Sequence, residues 1–171
     1  PAWAERAVQD AIGVGRAVAV VEEGDPGEVA AVIAVADTVR PTSRAAIDAL
    51  REMGVASVLV TGDSLAAAGA VAAAIGVDDV VAEVLPAGKV DVVHDWKRRG
   101  HVVAMVGDGI NDAGALASAD LGISVGTGTD VAIAASDLTI VSGDIASVPV
   151  AVALARRTTR VSVGNLFWAF A

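Results

Sequence analysis

Two short polar clusters each follow an apolar run. Thr61-Gly62-Asp63 follows residues 57–60 (SVLV), and Gly107-Asp108-Gly109-Ile110-Asn111-Asp112 follows residues 102–106 (VVAMV). Between them Lys89 stands near the start of a segment opened by Pro86. A hydroxyl, an ammonium and two carboxylates at one edge of a parallel sheet form a site for a phosphoryl group held with Mg²⁺. The hydroxyl and exposed backbone N–H groups bond phosphoryl oxygens, the lysine neutralises developing charge, and a carboxylate holds the metal. Glycines let the backbone approach the anion closely. Each element also has a purely structural reading. Thr61-Gly62-Asp63 is equally a turn in which Asp63 or Ser64 caps the next helix, and Lys89 alone is a solvated surface group. The Asp108/Asp112 cluster resists that reading. Burying carboxylates after an apolar strand is costly unless a cation or dense hydrogen bonding compensates, and an Asn111 helix cap accounts for only part of the motif.

The elements that must position these residues alternate along the chain. Residues 2–11 read as a helix closed by Gly13 or Gly15, and residues 16–22 and 29–36 as strands flanking a turn at 24–27. A helix over 41–53 has Pro41 near its start and Gly54 just past its end. Strands are expected at 57–60, 80–81, 102–106, 121–124 and 138–141, and helices at 64–74, 87–99, 111–118 and 131–134, with one long helix from 145 to the end. Repeated strand–helix units with short apolar strands imply a parallel sheet covered on both faces. In such sheets ligands bind beyond the carboxyl ends of the strands. Both polar clusters fall there, so they are expected to converge although 47 positions separate Thr61 from Asp108.

Composition narrows the functions. The 171 residues are enough for about one domain, and 54% hydrophobic with 19% charged residues excludes a disordered chain. Cysteine is absent, which removes disulfides, thiolate metal sites and a cysteine nucleophile together. A net charge of −9 argues against nucleic acid as the main partner, but not against phosphate held with Mg²⁺, whose sites are themselves built of carboxylates. The opening PAWAERAVQD is too charged for a signal peptide. Residues 64–77 are apolar for only 14 positions, short of the roughly 20 needed to cross a bilayer. After Arg156, Arg157 and Arg160 the chain ends VSVGNLFWAFA, which reads as a span entering from the positive cytosolic side of a longer protein. Gly13-Val14-Gly15 precedes a strand and is no dinucleotide fingerprint. His94 reads as a helix-surface residue, His101 as a strand-entry position, and Trp96 as packing its helix onto the sheet.

Thr61-Gly62-Asp63, Lys89 following Pro86, and GDGINDAGAL at 107–116 resemble the later motifs of the haloacid-dehalogenase-like phosphorylation domain of P-type ATPases. Residues 35–41 (VADTVRP) resemble the hinge that leads back from the nucleotide-binding domain, with Asp37 and Arg40 in it, and 126–132 (GTGTDVA) the loop after the metal motif. Asn165-Leu166-Phe167-Trp168-Ala169-Phe170 resembles the first transmembrane helix after that domain in heavy-metal pumps, particularly the copper-exporting branch.

The resemblance implies an α/β fold: a partial three-layer, Rossmann-like (haloacid-dehalogenase-like) parallel-sheet domain. Residues 1–36 would be the hairpin remnant of a nucleotide-binding domain, 37–150 the later part of the phosphorylation domain, and 151–171 the start of a transmembrane helix. It also implies part of an ATP-driven pump for a heavy-metal cation, Cu⁺ by the copper-exporting likeness, at the cell membrane with this domain on the cytoplasmic side. Asp108 would bind Mg²⁺, with Asp112 and Asn111 ordering that site. Thr61 and Gly62 would contact the phosphoryl group, Lys89 would stabilise its charge, and Asp63 would shape the loop or sense nucleotide.

Two departures stand out. The Asp-Lys-Thr-Gly that carries the phosphorylated aspartate in this family does not occur, so the chain alone is expected to be inactive and its sheet to present an open edge. Gly114 replaces the usual proline, which loosens the first helical turn there by about 1 kcal/mol. Two other readings remain open. A soluble phosphatase of the same superfamily needs an Asp-x-Asp motif, which is missing near Asp37. A non-enzymatic domain that binds Mg²⁺ or phosphate to regulate a pump needs no nucleophile.

Overall fold

A computed structural model describes residues 1–13, 16–24, 27–35, 38–108, 110–126 and 130–170. Gly15, the Asp25-Pro26 centre of the expected turn, Ala36 and Asp37 of the hinge, Gly109 and residues 127–129 lie outside the described residues. In chain order the elements are α1 (Ala2–Gly13), β1 (Ala17–Glu23), β2 (Glu28–Val35), α2 (Pro41–Glu52), β3 (Val58–Val60), α3 (Leu65–Ile75), β4 (Asp79–Val81), α4 (Pro86–Arg98), β5 (Ala104–Gly107), a 3₁₀ turn (Ile110–Asp112), α5 (Ala113–Ser118), β6 (Leu121–Val125), α6 (Asp130–Ala134), β7 (Leu138–Ile140) and α7 (Ser147–Phe170). They form two compact units: residues 1–40 with 56–85, and residues 41–55 with 86–171.

Left-handed glycines end three of the helices, α2, α3 and α4. In α2 the left-handed Gly54 (φ +74°) lets its own N–H reach Arg51 O at 2.9 Å and the Val55 N–H reach Leu50 O at 3.0 Å, the paired bonds of a Schellman ending. Gly100 (φ +86°) closes α4 in the same way, with Gly100 N–H on Lys97 O and His101 N–H on Trp96 O. That ending accounts for Trp96, whose ring meets His101 edge-on at 5.1 Å and carries Arg99 above it at 5.4 Å. Trp96 therefore packs at the end of its own helix, against His101 and Arg99. His94 is exposed on α4 as expected.

In the first unit β1 and β2 form an antiparallel ribbon with a register shift at Val21/Glu22, and α1 packs across both strands. β3 and β4 pair in parallel, Val58 opposite Asp79 and Val60 opposite Val81. In the second unit β5, β6 and β7 form a three-stranded parallel sheet in that order. The parallel α/β pattern is as expected, with β3–β4 paired within the first unit and β5–β6–β7 within the second. Val102 is 89% exposed and lies outside β5, so that strand is shorter and less buried than an apolar run suggests. The core of the second unit is closed by Leu116 of α5 and Ile123 of β6, both almost wholly buried.

These parallel pairs are three or four residues long and cannot hold their register by ladder bonds alone. Each is closed at its entrance by an aspartate standing just ahead of, or at the loop entering, the second strand. Asp78 donates its N–H to Ser57 O and accepts the Ser57 N–H on its carboxylate, both at 2.8 Å. Asp120 makes the same two-way bond with Val103, both at 2.9 Å. Asp137 makes it with Gly122, at 2.9 and 2.8 Å. The N–H groups of Ser57, Val103 and Gly122 thereby each gain a carboxylate partner, and the register at the three strand entrances is pinned.

The Val103 N–H, reinforced by Lys97, holds the Asp120 carboxyl below its usual range. A pKa lower in the folded than in the unfolded chain means that the unfolded chain binds more protons in acid. The stabilising contribution is complete above about pH 4–5, where the unfolded group is ionised, and is lost as pH falls through the folded value. Asp120→Ala is accordingly expected to lower the urea midpoint at pH 7, with the gap to wild type narrowing steadily as the titration is repeated down to pH 3.

Candidate functional site

β5 ends at Gly107, and the chain then passes Asp108 into the 3₁₀ turn and α5. Asp108 is exposed, Asn111 is exposed, and Asp112 is buried, at 8% of its full exposure. Asp112 occupies the N-cap position of α5 but makes no side-chain capping bond. The expected Asn111 cap is therefore corrected: the capping position is one residue on and its carboxylate is used elsewhere. Lys89 donates from Nζ to Asp112 Oδ1 at 2.6 Å, with both side chains largely out of water. The structural reading of Lys89 as a solvated surface group does not hold. A Cβ placed on Gly107 would lie 2.8 Å from both Cβ and Oδ2 of Asp112, so this glycine is the space into which the carboxylate folds back over the end of β5.

The other lysine of the chain repeats the arrangement. Lys97 donates to Ser118 O at the end of α5 and pairs with Asp120 Oδ1, both at 3.0 Å. Lys89 and Asp112 are 23 positions apart, and so are Lys97 and Asp120. Helix α4 thus lies in one register along the segment from the 3₁₀ turn to the start of β6, tied at the Asp108 end and at the strand-entrance end. Gly114 faces α4, where an added Cβ would come within 3.2 Å of Val90 Cγ2.

Thr61, Gly62 and Asp63 belong to the first unit and directly follow β3. The Thr61 hydroxyl donates to Asp63 Oδ2 at 2.8 Å and accepts the Asp63 N–H at 3.1 Å. Ser64 caps α3, accepting the Ala67 N–H on Oγ; of the two residues that could have capped it, Ser64 does so. The loop is braced by the segment after β4, where Val84 N–H donates to Thr61 O and Glu83 N–H to Asp63 O. Glu83 holds φ +58°, the only left-handed non-glycine among the described residues. No pattern in the sequence marks Glu83 for that role. Also unmarked is a hydroxyl cluster in the second unit, where the wholly buried Ser124 of β6 donates to Thr139 Oγ1 and lies 2.9 Å from Ser136 Oγ.

The structure thus brings Lys89 onto Asp112 beside Asp108 and Asn111 in one unit, and Thr61 onto Asp63 around Gly62 in the other. Among the described residues no group of three or more His, Cys, Asp or Glu gathers as a cation cage.

The sequence profile described as haloacid dehalogenase-like hydrolase matches residues 1–120. The chain belongs to this family. This haloacid dehalogenase-like chain is 49% identical over 158 residues to the cation-transporting P-type ATPase B of Mycobacterium tuberculosis (strain ATCC 25618 / H37Rv), covering 92% of this chain and 21% of that protein. It is 52% identical over 145 residues to copper-transporting ATPase 1 of Rhizobium meliloti (strain 1021), covering 85% of this chain and 18% of that protein. The crystal structure of a zinc-transporting PIB-type ATPase in its E2.Pi state matches with a TM-score of 0.81 at 36% identity, over 94% of this chain and 26% of that one. The resemblance to heavy-metal P-type ATPases is borne out, and the chain spans about a fifth of the length of the curated relatives it matches.

Lys89→Met leaves the Asp112 carboxylate buried without a partner and is expected to destabilise the chain by about 3 kcal/mol in urea unfolding. Adding Asp112→Asn to it should recover most of that loss. Glu83→Gly relieves the left-handed backbone and is expected to stabilise by about 1 kcal/mol in the same assay.

Proposed function

We propose that this chain is part of an ATP-driven heavy-metal cation pump and supplies the Mg²⁺- and phosphoryl-binding half of its phosphorylation domain. The observation that carries this reading is the Lys89–Asp112 ion pair folded over Gly107, beside Asp108, at the carboxyl end of a parallel strand. The donor set fits Mg²⁺. It offers hard carboxylate oxygens, one exposed and one pre-oriented over a glycine that leaves room for it, and Mg²⁺ is commonly held by one or two carboxylates together with water and substrate phosphate. Bound Mg²⁺ would draw charge from the phosphoryl oxygens.

In this reading Asp108 binds the metal, while Asp112 and Asn111 order that site. The Lys89 ammonium holds Asp112 in place and offsets the charge of a transferring phosphoryl group. The Thr61 hydroxyl turns from Asp63 to a phosphoryl oxygen, Gly62 lets the backbone come close, and Asp63 shapes the loop or senses nucleotide. ATP is the phosphoryl donor. Residues 1–36 are the remnant of a nucleotide-binding domain, 37–150 the later part of the phosphorylation domain and 151–171 the start of a membrane span. Among the described residues no helix is itself long and apolar enough to cross a membrane. The names of relatives near half identity favour a copper cargo, Cu⁺, over the zinc named for the solved structure at 36%. The pump sits in the cell membrane with this domain on the cytoplasmic side.

Without an Asp-Lys-Thr-Gly in its sequence, the 171-residue chain incubated with labelled ATP and Mg²⁺ is expected to retain no label after an acid quench. Mg²⁺ alone should shift the amide resonances of residues 107–112, and Asp108→Asn should abolish that shift. An unchanged Mg²⁺ response in Asp108→Asn, or an acid-stable label on the wild-type chain, would refute the corresponding half of the reading.

A further inference from the structure

Asp112 stands between two glycines that leave room for different neighbours. On one side its carboxylate folds back over Gly107, where an added Cβ would lie 2.8 Å from Oδ2. On the other, Gly114 is the second residue of α5 and faces Val90 of α4. Val90 is the chain neighbour of Lys89, whose Nζ reaches Asp112 Oδ1 at 2.6 Å. The helix contact and the ion pair thus lie within one turn of each other. Gly114 also stands where the motif it resembles usually has proline.

A side chain at position 114 would meet α4 and not open space. Its Cβ would lie 3.2 Å from Val90 Cγ2, closer than the roughly 3.5–4.0 Å that carbon atoms keep at best contact. The neighbour would have to give by a few tenths of an ångström. Helix α5 is tied within itself, the Ser118 hydroxyl donating to Gly114 O at 2.7 Å, so the yielding partner is α4. Its far end is fastened by Lys97 to Ser118 O and Asp120 Oδ1, about 12 Å along the helix from Lys89. The near end gives first, and Lys89 moves off with Val90. That small distance matters because the Lys89 and Asp112 side chains are only 16% and 11% exposed. Water screens such a pair little, and an ammonium this close competes with any metal ion for the same carboxylate.

We propose that Gly114 is a positioning residue for the Mg²⁺ site: the side chain it lacks lets α4 press Lys89 onto Asp112, and this contact holds down the affinity of the site for the free cation. The effect on Mg²⁺ rests on the metal reading given above, whereas the effect on the ion pair does not.

The chain has two lysines, and both are ion-paired, so nitrogen-labelled lysine gives two side-chain ammonium signals whose exchange with water can be followed separately. Gly114→Ala is expected to speed exchange at Lys89 about five-fold, as a weakened charge-assisted bond does, and to leave Lys97 unchanged. In the same variant Mg²⁺ should shift the amide resonances of residues 107–112 at about three-fold lower concentration, the effect of moving one charge by a few tenths of an ångström close to a divalent cation. Adding Val90→Ala removes the opposing methyl and should return both readouts to wild-type values. A replacement that only unsettled the fold would act in the opposite direction on Mg²⁺ and would disturb both lysines. Unchanged exchange at Lys89, Mg²⁺ binding that is weaker or unaltered, or no recovery in the double variant overturns the proposal. If Gly114→Ala alone leaves the chain unfolded, the double variant must still fold with wild-type exchange at Lys89, and its failure to do so is equally decisive. A wild-type chain without any Mg²⁺ response refutes the metal reading instead, and exchange at Lys89 then decides whether Gly114 positions the ion pair.

Discussion

The carboxylate-to-backbone bonds at the strand entrances are the constraint on which the rest depends. A parallel pair of three residues offers few ladder bonds, and a slip of one residue would turn every side chain to the opposite face. Asp78, Asp120 and Asp137 each remove that freedom by gripping both the N–H and the C=O of one residue on the neighbouring strand. What is pinned at the entrance is felt at the exit. With β5 only four residues long, the position of Val103 determines where Gly107 and Asp108 emerge.

Asp120 also joins this strand-entrance geometry to the candidate site. It bonds Val103 on the strand side and Lys97 on the helix side. Lys97 and Lys89 then hold α4 against the turn that carries Asp112. The two ties differ in surroundings and so in strength. The Lys97 pair is over a third exposed, where screening leaves an ion pair little net energy. The Lys89 pair is nearly buried, where loss of one charge strands the other. The stronger tie is therefore the one at the candidate site, and Gly107 makes room for it.

Much of the site was legible in the sequence because it lies in local patterns. Strand, glycine turn and aspartate occur consecutively at 107–112, and Ser64 and Gly76 frame α3 as helix caps do. The helix breaks at Gly54 and Gly100 were legible for the same reason, since a left-handed residue is cheap only for glycine. Asn111 was misread because the capping role depends on which neighbour a side chain meets. The cap position fell to Asp112, whose carboxylate was drawn away by Lys89.

The order of short apolar strands, the residues that follow them and the parallel α/β class were determined by the sequence alone, because hydrophobic period, glycine and proline act within a few residues of themselves. Only the tertiary structure decided that Lys89 is an ion-paired partner of Asp112, that Gly107 is where a carboxylate folds back, and that three aspartates fasten strand entrances. Each of those facts joins groups 15 to 23 positions apart or turns on a contact of under 3 Å. Such pairings are selected by packing geometry and by the cost of leaving buried polar groups unmatched, and no local sequence pattern encodes them.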